Sequence, residues 1–238
     1  MNKNECFQKD GIVEVKIYSA FEVLKLRRFV HSWISRNFTN QGIEKDLPAN
    51  LSSYHSWAQK NDIPHDKLFS APNRFCTPPR AIEQIILKPD LFKFFKSLNL
   101  KMPSLIDEGM GWLGYRIIRP NMNDGYPTSC KDWGASKGAF SIWLPLFTFS
   151  SAHSLKFVKG SHNKVYKNYL PEDGKFTKDE LRLSPSETVK ISSKNVFPGN
   201  LLFYGPRTLH SENVSKGRNT RINLEFRFYF DDNGASVK

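Results

Sequence analysis

From residue 111 to residue 230 the chain is largely a succession of short apolar segments set between glycine and proline: GWLGYRIIRP, GAFSIWLPLFTF, SLKFVKG, ETVKISS, NLLFYGP and RINLEFRFYF. Apolar runs of this length between turn residues read as β-strands. In the last of them Ile222, Leu224, Phe226 and Phe228 fall on one face, and Arg221, Asn223, Glu225 and Arg227 on the other, because side chains alternate along a strand. Five or six such strands in a row leave few architectures. They must hide an apolar face, and an antiparallel sandwich or barrel backed by helices does so.

The helices come from the first part of the chain. After a short strand in GIVEVKIY (residues 11–18), Phe21, Leu24, Phe29, Val30, Trp33 and Ile34 recur at helical spacing over residues 20–38. Residues 39–79 are polar and broken by prolines, which suits loop with short helical pieces. A second helical region over 79–98 restarts at Lys88-Pro89-Asp90, since proline fits the first turn of a new helix. No repeat or low-complexity stretch interrupts the chain. The expectation is a single domain, 1–238, mainly β with N-terminal helices: a helical half (1–102) packed on a β core (103–232). The charged stretch 163–187 is a long insertion of the kind that covers a site.

Composition narrows the function classes. With 39% hydrophobic and 24% charged residues the chain is an ordinary globular protein. No apolar run reaches the length of a membrane span, and the start MNKNECFQKD lacks a signal-peptide core, so the expected location is cytoplasmic, without a membrane partner. Three cysteines, Cys6, Cys76 and Cys130, show no CxxC spacing and suit reduced thiols. The net charge of +12 has no run of five or six basic residues behind it. It reads as a lysine-rich surface, and a nucleic-acid partner is disfavoured because no reader motif accompanies it.

Two residues stand out near the C-terminus. His210 follows the strand NLLFYGP and its turn, and Arg221 opens the final strand eleven residues later. An arginine there could aim a planar fork into a barrel and grip a carboxylate. The alternative is a surface-facing polar row on an edge strand, with His210 a hydrogen-bonded loop residue. His162, in the turn Gly160-Ser161-His162, fits a histidine bonded to backbone. His153, His31, His55 and His65 have no partners at metal-ligand spacing. In RIIRPNMNDGYPTSCKDW a strand runs into a polar loop that ends on Asp132, with Cys130 two residues before it.

The order YRIIRPN, a loop containing DW, SIWLPL, SLKFVKGSH, FPGNLLFYGPRTLH and RINLEF resembles the phytanoyl-CoA dioxygenase-like branch of the Fe(II)/2-oxoglutarate oxygenases, over about half of the chain. It is similar in particular to bacterial members found in cell-surface polysaccharide gene clusters. The resemblance implies a double-stranded β-helix (jelly roll, cupin-like) holding Fe(II) through two histidines and a carboxylate, with 2-oxoglutarate bound beside it. It makes His210 the distal histidine, Asp132 the carboxylate ligand and Arg221 the clamp on the far carboxylate of 2-oxoglutarate. The family's His-x-Asp reads Cys130-Lys131-Asp132 here. Cys130 is then a thiolate ligand, or another side chain such as His153 replaces the histidine, or the metal is lost. The implied activity is oxidation of a small polar, anionic or sugar-linked metabolite, with 2-oxoglutarate decarboxylated to succinate. A catalytically silent ligand-binding protein of the same fold is the alternative, and a basic nucleic-acid-binding module ranks third.

Overall fold

The structure is a computed structural model that describes residues 2–65, 71–101, 103–107, 109, 111–121, 138–147, 155–164, 180–184, 187–190, 192, 195–212 and 218–230. Helix α1 (Lys3–Asp10) leads into strand β1 (Ile12–Lys16), and the long helix α2 (Ala20–Asn40) follows. After a 3₁₀ turn (Leu51–Ser53) come the short helices α3 (Tyr54–Lys60) and α4 (Ala71–Arg74) and strand β2 (Phe75–Cys76). Helices α5 (Arg80–Ile86) and α6 (Pro89–Ser97) flank the expected restart at Pro89. The remaining strands are β3 (Pro103–Leu105), β4 (Leu113–Ile118), β5 (Phe140–Pro145), β6 (Leu155–Phe157), β7 (Glu180–Ser184), β8 (Glu187–Lys190), β9 (Asn200–Tyr204), β10 (His210–Glu212) and β11 (Arg221–Phe230).

The strands make an antiparallel jelly-roll arrangement. A seven-stranded sheet runs β1-β9-β5-β11-β4-β2, with β3 also paired to β11. The pairs β10-β6 and β7-β8 form two smaller sheets, and Ser192 bridges to Phe157 of β6. β11 is not an edge strand. It has β5 along one side and β4 followed by β3 along the other.

Alternation divides the large sheet into two faces. Leu113, Tyr115, Ile142, Leu144, Leu201, Phe203, Leu224 and Phe226 turn outward into a core shared with Leu26, Val30, Trp33, Ile34, Leu91 and Phe95 of the helices. From the opposite face Ile12, Trp143, Leu202 and Tyr204 meet Leu155 and Phe157 of the small sheet, with Val196 between them. This second cluster is the interior of the barrel. The register brings Tyr204, Ser141 and Arg227 onto one rung of that interior, Leu202, Trp143 and Glu225 onto the next, and Asn223 beside Arg116 beyond them.

Helix α2 forms where it does for local reasons. Val23, Leu26, Val30, Trp33 and Phe38 give it a continuous buried stripe. Its start is a capping box in which Ser19 accepts from the Glu22 amide and the Glu22 carboxylate accepts from Ser19 N at 2.8 Å. Glu22 also takes Lys88 Nζ at 2.7 Å, tying α2 to the start of α6. Burial pushes the Glu22 carboxyl up, but the hydrogen bonds from Lys88 and Ser19 outweigh it and leave the pKa below its usual value. A carboxyl whose folded pKa is depressed stabilises the fold above the ordinary carboxylate range and loses that stabilisation as pH falls through the lower folded value. Glu22→Gln should therefore cost about 1 kcal/mol at pH 7. In urea melts the gap between variant and parent should narrow as pH falls below the ordinary carboxylate range. An equal gap at pH 7 and below that range would show that charge plays no part.

Two glycines are held by contact as well as conformation. Gly199 has φ +97°, and a Cβ there would lie 2.6 Å from the Tyr18 carbonyl oxygen. Gly11, at φ +73°, ends α1, and a Cβ on it would meet the His162 ring. Among the described residues no helix is long and apolar enough to cross a membrane.

Candidate functional site

The polar row of β11 starts buried on the inner face of the sheet at Arg221 and Asn223 and reaches solvent only at Arg227, and β11 is paired on both sides, which overturns the edge-strand alternative. Arg221 and Asn223 are fully buried. The Arg221 guanidinium lies 6.0 Å from the centre of the Trp143 ring, on the same interior face. Holding a guanidinium in such a place is costly unless a counter-charge or a ring of acceptors meets it.

His210 is the first residue of β10, not a loop residue beyond a strand. It pairs with Phe157, whose ring belongs to the interior cluster, and its own ring lies 4.6 Å from that of Tyr204. Its Nδ1 is 2.8 Å from the Thr208 carbonyl oxygen. Nδ1–H donating to that carbonyl fixes the tautomer and leaves Nε2 with its lone pair available. Burial, the leading cause, lowers the His210 pKa and keeps the imidazole neutral, the form that ligates a metal.

The backbone before His210 is held from three sides. Thr208 Oγ1 donates to the Gly11 carbonyl at 3.0 Å, the Leu209 amide donates to Ser161 Oγ at 2.8 Å, and the Val158 amide donates to the Leu209 carbonyl at 3.0 Å. The turn Gly160-Ser161-His162 thus braces the strand that carries His210. His162 itself contacts the Gln8 carbonyl through Nε2 at 3.0 Å, as a backbone-bonded turn histidine should. His55 is bonded to Thr220, and His65 is buried against Tyr54.

A cavity of about 50 Å³ opens beside His210, bounded by Tyr204, Ser141, Arg116, Glu225 and Arg227. That is room for a few water molecules. Glu225 accepts from Arg116 Nε at 2.8 Å and from Asn223 Nδ2 at 3.0 Å. Burial alone would raise its pKa, but the Arg116 charge and hydrogen bond reverse this, so the group is held well below the ordinary carboxylate range. Burial raises the Tyr204 phenol, and the Glu225 charge adds to that effect. The inner face of the sheet therefore carries two guanidiniums, the part-buried Arg116 and the fully buried Arg221, with the exposed Arg227 at the rim of the cavity, against the one described carboxylate of Glu225. It suits an anionic guest. Trp143 Nε1 and Asn223 Oδ1 are buried there without hydrogen-bond partners among the described residues.

Sequence reasoning placed His210 and Arg221 and grouped Glu225 with them, but it did not assign Arg116, Tyr204, Ser141 or Trp143. The only signal for Arg116 was its alternation with Tyr115 and Ile117 in β4. Cys130, Asp132 and His153, with Lys131 and Trp133, lie outside the described residues. Among the described residues no group of three or more His, Cys, Asp or Glu side chains is placed to hold a metal ion. The insertion 163–187 lies mostly outside them as well, though residues 180–184 pair with 187–190 as a hairpin.

No family model and no curated protein matches the sequence. Solved structures do match. The non-heme α-ketoglutarate-dependent carbocyclase SnoK from nogalamycin biosynthesis is 13% identical, with a TM-score of 0.58 over 96% of this chain and 83% of its own. The epimerase SnoN, in complex with Fe³⁺, α-ketoglutarate and a nogalamycin compound, is 12% identical, with a TM-score of 0.53 over 95% of this chain and 82% of its own. EctD from S. alaskensis, bound to 2-oxoglutarate and 5-hydroxyectoine, is 14% identical, with a TM-score of 0.52 over 95% and 74%. At these identities the likeness is one of fold: this chain shares the jelly roll of those enzymes.

Proposed function

We propose that the chain is an Fe(II)/2-oxoglutarate-dependent oxygenase-type protein of the phytanoyl-CoA dioxygenase-like kind, acting as one domain on a small anionic or sugar-linked metabolite. One observation carries the reading: a fully buried arginine, Arg221, faces the barrel interior eleven residues after His210, which faces the same interior with its Nδ1 already engaged. The shared fold with enzymes named for α-ketoglutarate supports it.

In this reading His210 Nε2 and the Asp132 carboxylate hold the metal, and the Cys130 thiolate takes the position of the missing histidine. The described residues fit that role. His210 is neutral, oriented through Thr208 and part-buried, and the cavity beside it has cationic groups for an anion. Iron with 2-oxoglutarate supplies, when bound, the oxidising power to hydroxylate an unactivated carbon, the co-substrate leaving as succinate and carbon dioxide. The chain's own groups do the rest. Thr208 orients the His210 ring, Arg221 receives the far carboxylate in a two-point grip, and Arg116 keeps Glu225 ionised and turned away from the anion. The aromatic wall of Trp143, Tyr204 and Phe157 keeps bulk water out.

The test is anaerobic Fe(II) titration with and without 2-oxoglutarate, following the weak visible band of the ternary complex. The parent should bind micromolar metal and develop the band. His210→Ala should weaken metal binding at least tenfold, and Cys130→Ala should weaken it similarly if the thiolate is a ligand. No metal binding by the parent, restored in Cys130→His, would instead identify a silent binding protein that has lost its metal.

A further inference from the structure

A second site for an anion lies outside the barrel, on the solvent side of α2. A cleft of about 600 Å³ runs between that helix, Asn50 and the segment just beyond β5, and its walls include Leu24, Arg27, Arg28, His31, Asn50 and Phe147. Residues 24, 27, 28 and 31 are three, four and seven apart, so the helix presents them as one patch. No carboxylate is among the described residues that line it.

The two arginines are arranged differently. Arg27 is fixed, its Nε donating to the Leu146 carbonyl oxygen while its guanidinium lies 4.8 Å from the centre of the Phe147 ring. A planar guanidinium anchored at Nε still presents its terminal nitrogens. Arg28 is exposed, and among the described residues neither Arg28 nor His31 makes an ion pair or hydrogen bond. Arg28 and His31 are thus uncommitted donors beside one prepositioned cation. Leu24 is 41% exposed, so the patch carries an uncovered apolar shoulder next to its charges.

We propose that this cleft binds the phosphate group of a small organic phosphate, with Arg27, Arg28 and His31 around the phosphoryl oxygens and the organic part against Leu24 and Phe147. A tetrahedral dianion has enough acceptors to use all three donors, whereas a carboxylate saturates one guanidinium fork. The proposal does not rest on iron or on 2-oxoglutarate. The cleft lies at the same end of the large sheet as Arg221, because the Leu146 amide donates to the carbonyl of Ile222, the next residue.

Calorimetric titration with phenyl phosphate, with phenol and inorganic phosphate as the two halves of that probe, tests it. Phenyl phosphate should bind measurably more tightly than either half. Arg28→Glu, at an exposed position, should weaken it at least tenfold with the melting temperature unchanged, and His31→Ala should weaken it by a smaller factor. Arg221→Met should leave it unaltered. Equal binding by parent and Arg28→Glu would overturn the proposal, as would phenol binding as well as phenyl phosphate. A loss in Arg221→Met with none in Arg28→Glu would place the anion inside the barrel and overturn it too. Capture by phosphatidylserine vesicles without phenyl phosphate binding would point to a membrane surface and count against it.

Discussion

Arg221→Met is expected to reduce 2-oxoglutarate affinity roughly 100-fold or more while leaving the protein folded. A bidentate guanidinium–carboxylate grip comprises two charge-assisted hydrogen bonds, each worth about 1.5–3 kcal/mol. Losing about 3 kcal/mol corresponds to roughly two orders of magnitude in Kd. The fold should tolerate the change because methionine is of similar length and brings no charge into a fully buried position. A thermal melt of the variant is the control that separates lost binding from lost fold, because removing one member of a buried charged contact can itself destabilise. Arg221→Lys should fall between the two, since an ammonium keeps the charge but not the planar fork. Trp143 fluorescence is a suitable readout, its ring lying 6.0 Å from the guanidinium. An unchanged Kd in Arg221→Met would remove Arg221 from the binding site and leave the cofactor reading without its main support.

The largest loss of stability should follow Phe203→Ala. Phe203 is fully buried in β9 on the helix-facing side of the sheet. Its ring centre is 5.3 Å from those of Phe7 and Phe95, 5.5 Å from Phe94 and 5.6 Å from Phe140. It therefore joins α1, α6, β5 and β9 in a single aromatic cluster. Truncation to alanine in such a setting typically costs about 3–5 kcal/mol, the transfer term plus the cavity left among rigid rings. Phe203→Leu should cost much less, about 1–2 kcal/mol. Urea unfolding at pH 7 measures both. A loss below about 1 kcal/mol for the alanine variant would mean that the cluster closes over the gap and is not jointly packed.

Much of the β core was legible because glycine and proline separate its strands. β4, β5, β9 and β11 fall inside the segments GWLGYRIIRP, GAFSIWLPLFTF, NLLFYGP and RINLEFRFYF. Helix α2 was legible from its stripe and runs two residues past the expected end. The elements that escaped notice are short or polar. β3 and β10 have three residues each, too few for alternation to show, and β7 lies in the charged insertion. α1, KNECFQKD, has a single buried residue, Phe7, and so no apolar period.

The site was half legible for a different reason. Alternation tells which residues of β11 share a face, but not whether that face looks inward. That is decided by what pairs on each side of the strand, and hence by contacts remote in sequence. The ion pair between Arg116 and Glu225 spans 109 residues and exists only because β4 meets β11 in one register. His210 and Arg221 were singled out by a motif. Tyr204, Ser141 and Trp143 became their neighbours only once β9, β5 and β11 were laid side by side.

The bracing of His210 by the Gly11 carbonyl has a consequence for how the molecule comes into being. Thr208 and Gly11 are 197 residues apart, so the segment around Gly11 must wait until Thr208 has been synthesised before that hydrogen bond can form. β1 waits likewise, since among the described strands it pairs with β9 alone. Contacts of such separation form slowly, after loops have closed at a cost in chain entropy. The histidine can settle into its final orientation only when these two distant segments have met. A chain cut before β9 would hold the helices and several strands of this barrel and still leave β1 without its partner.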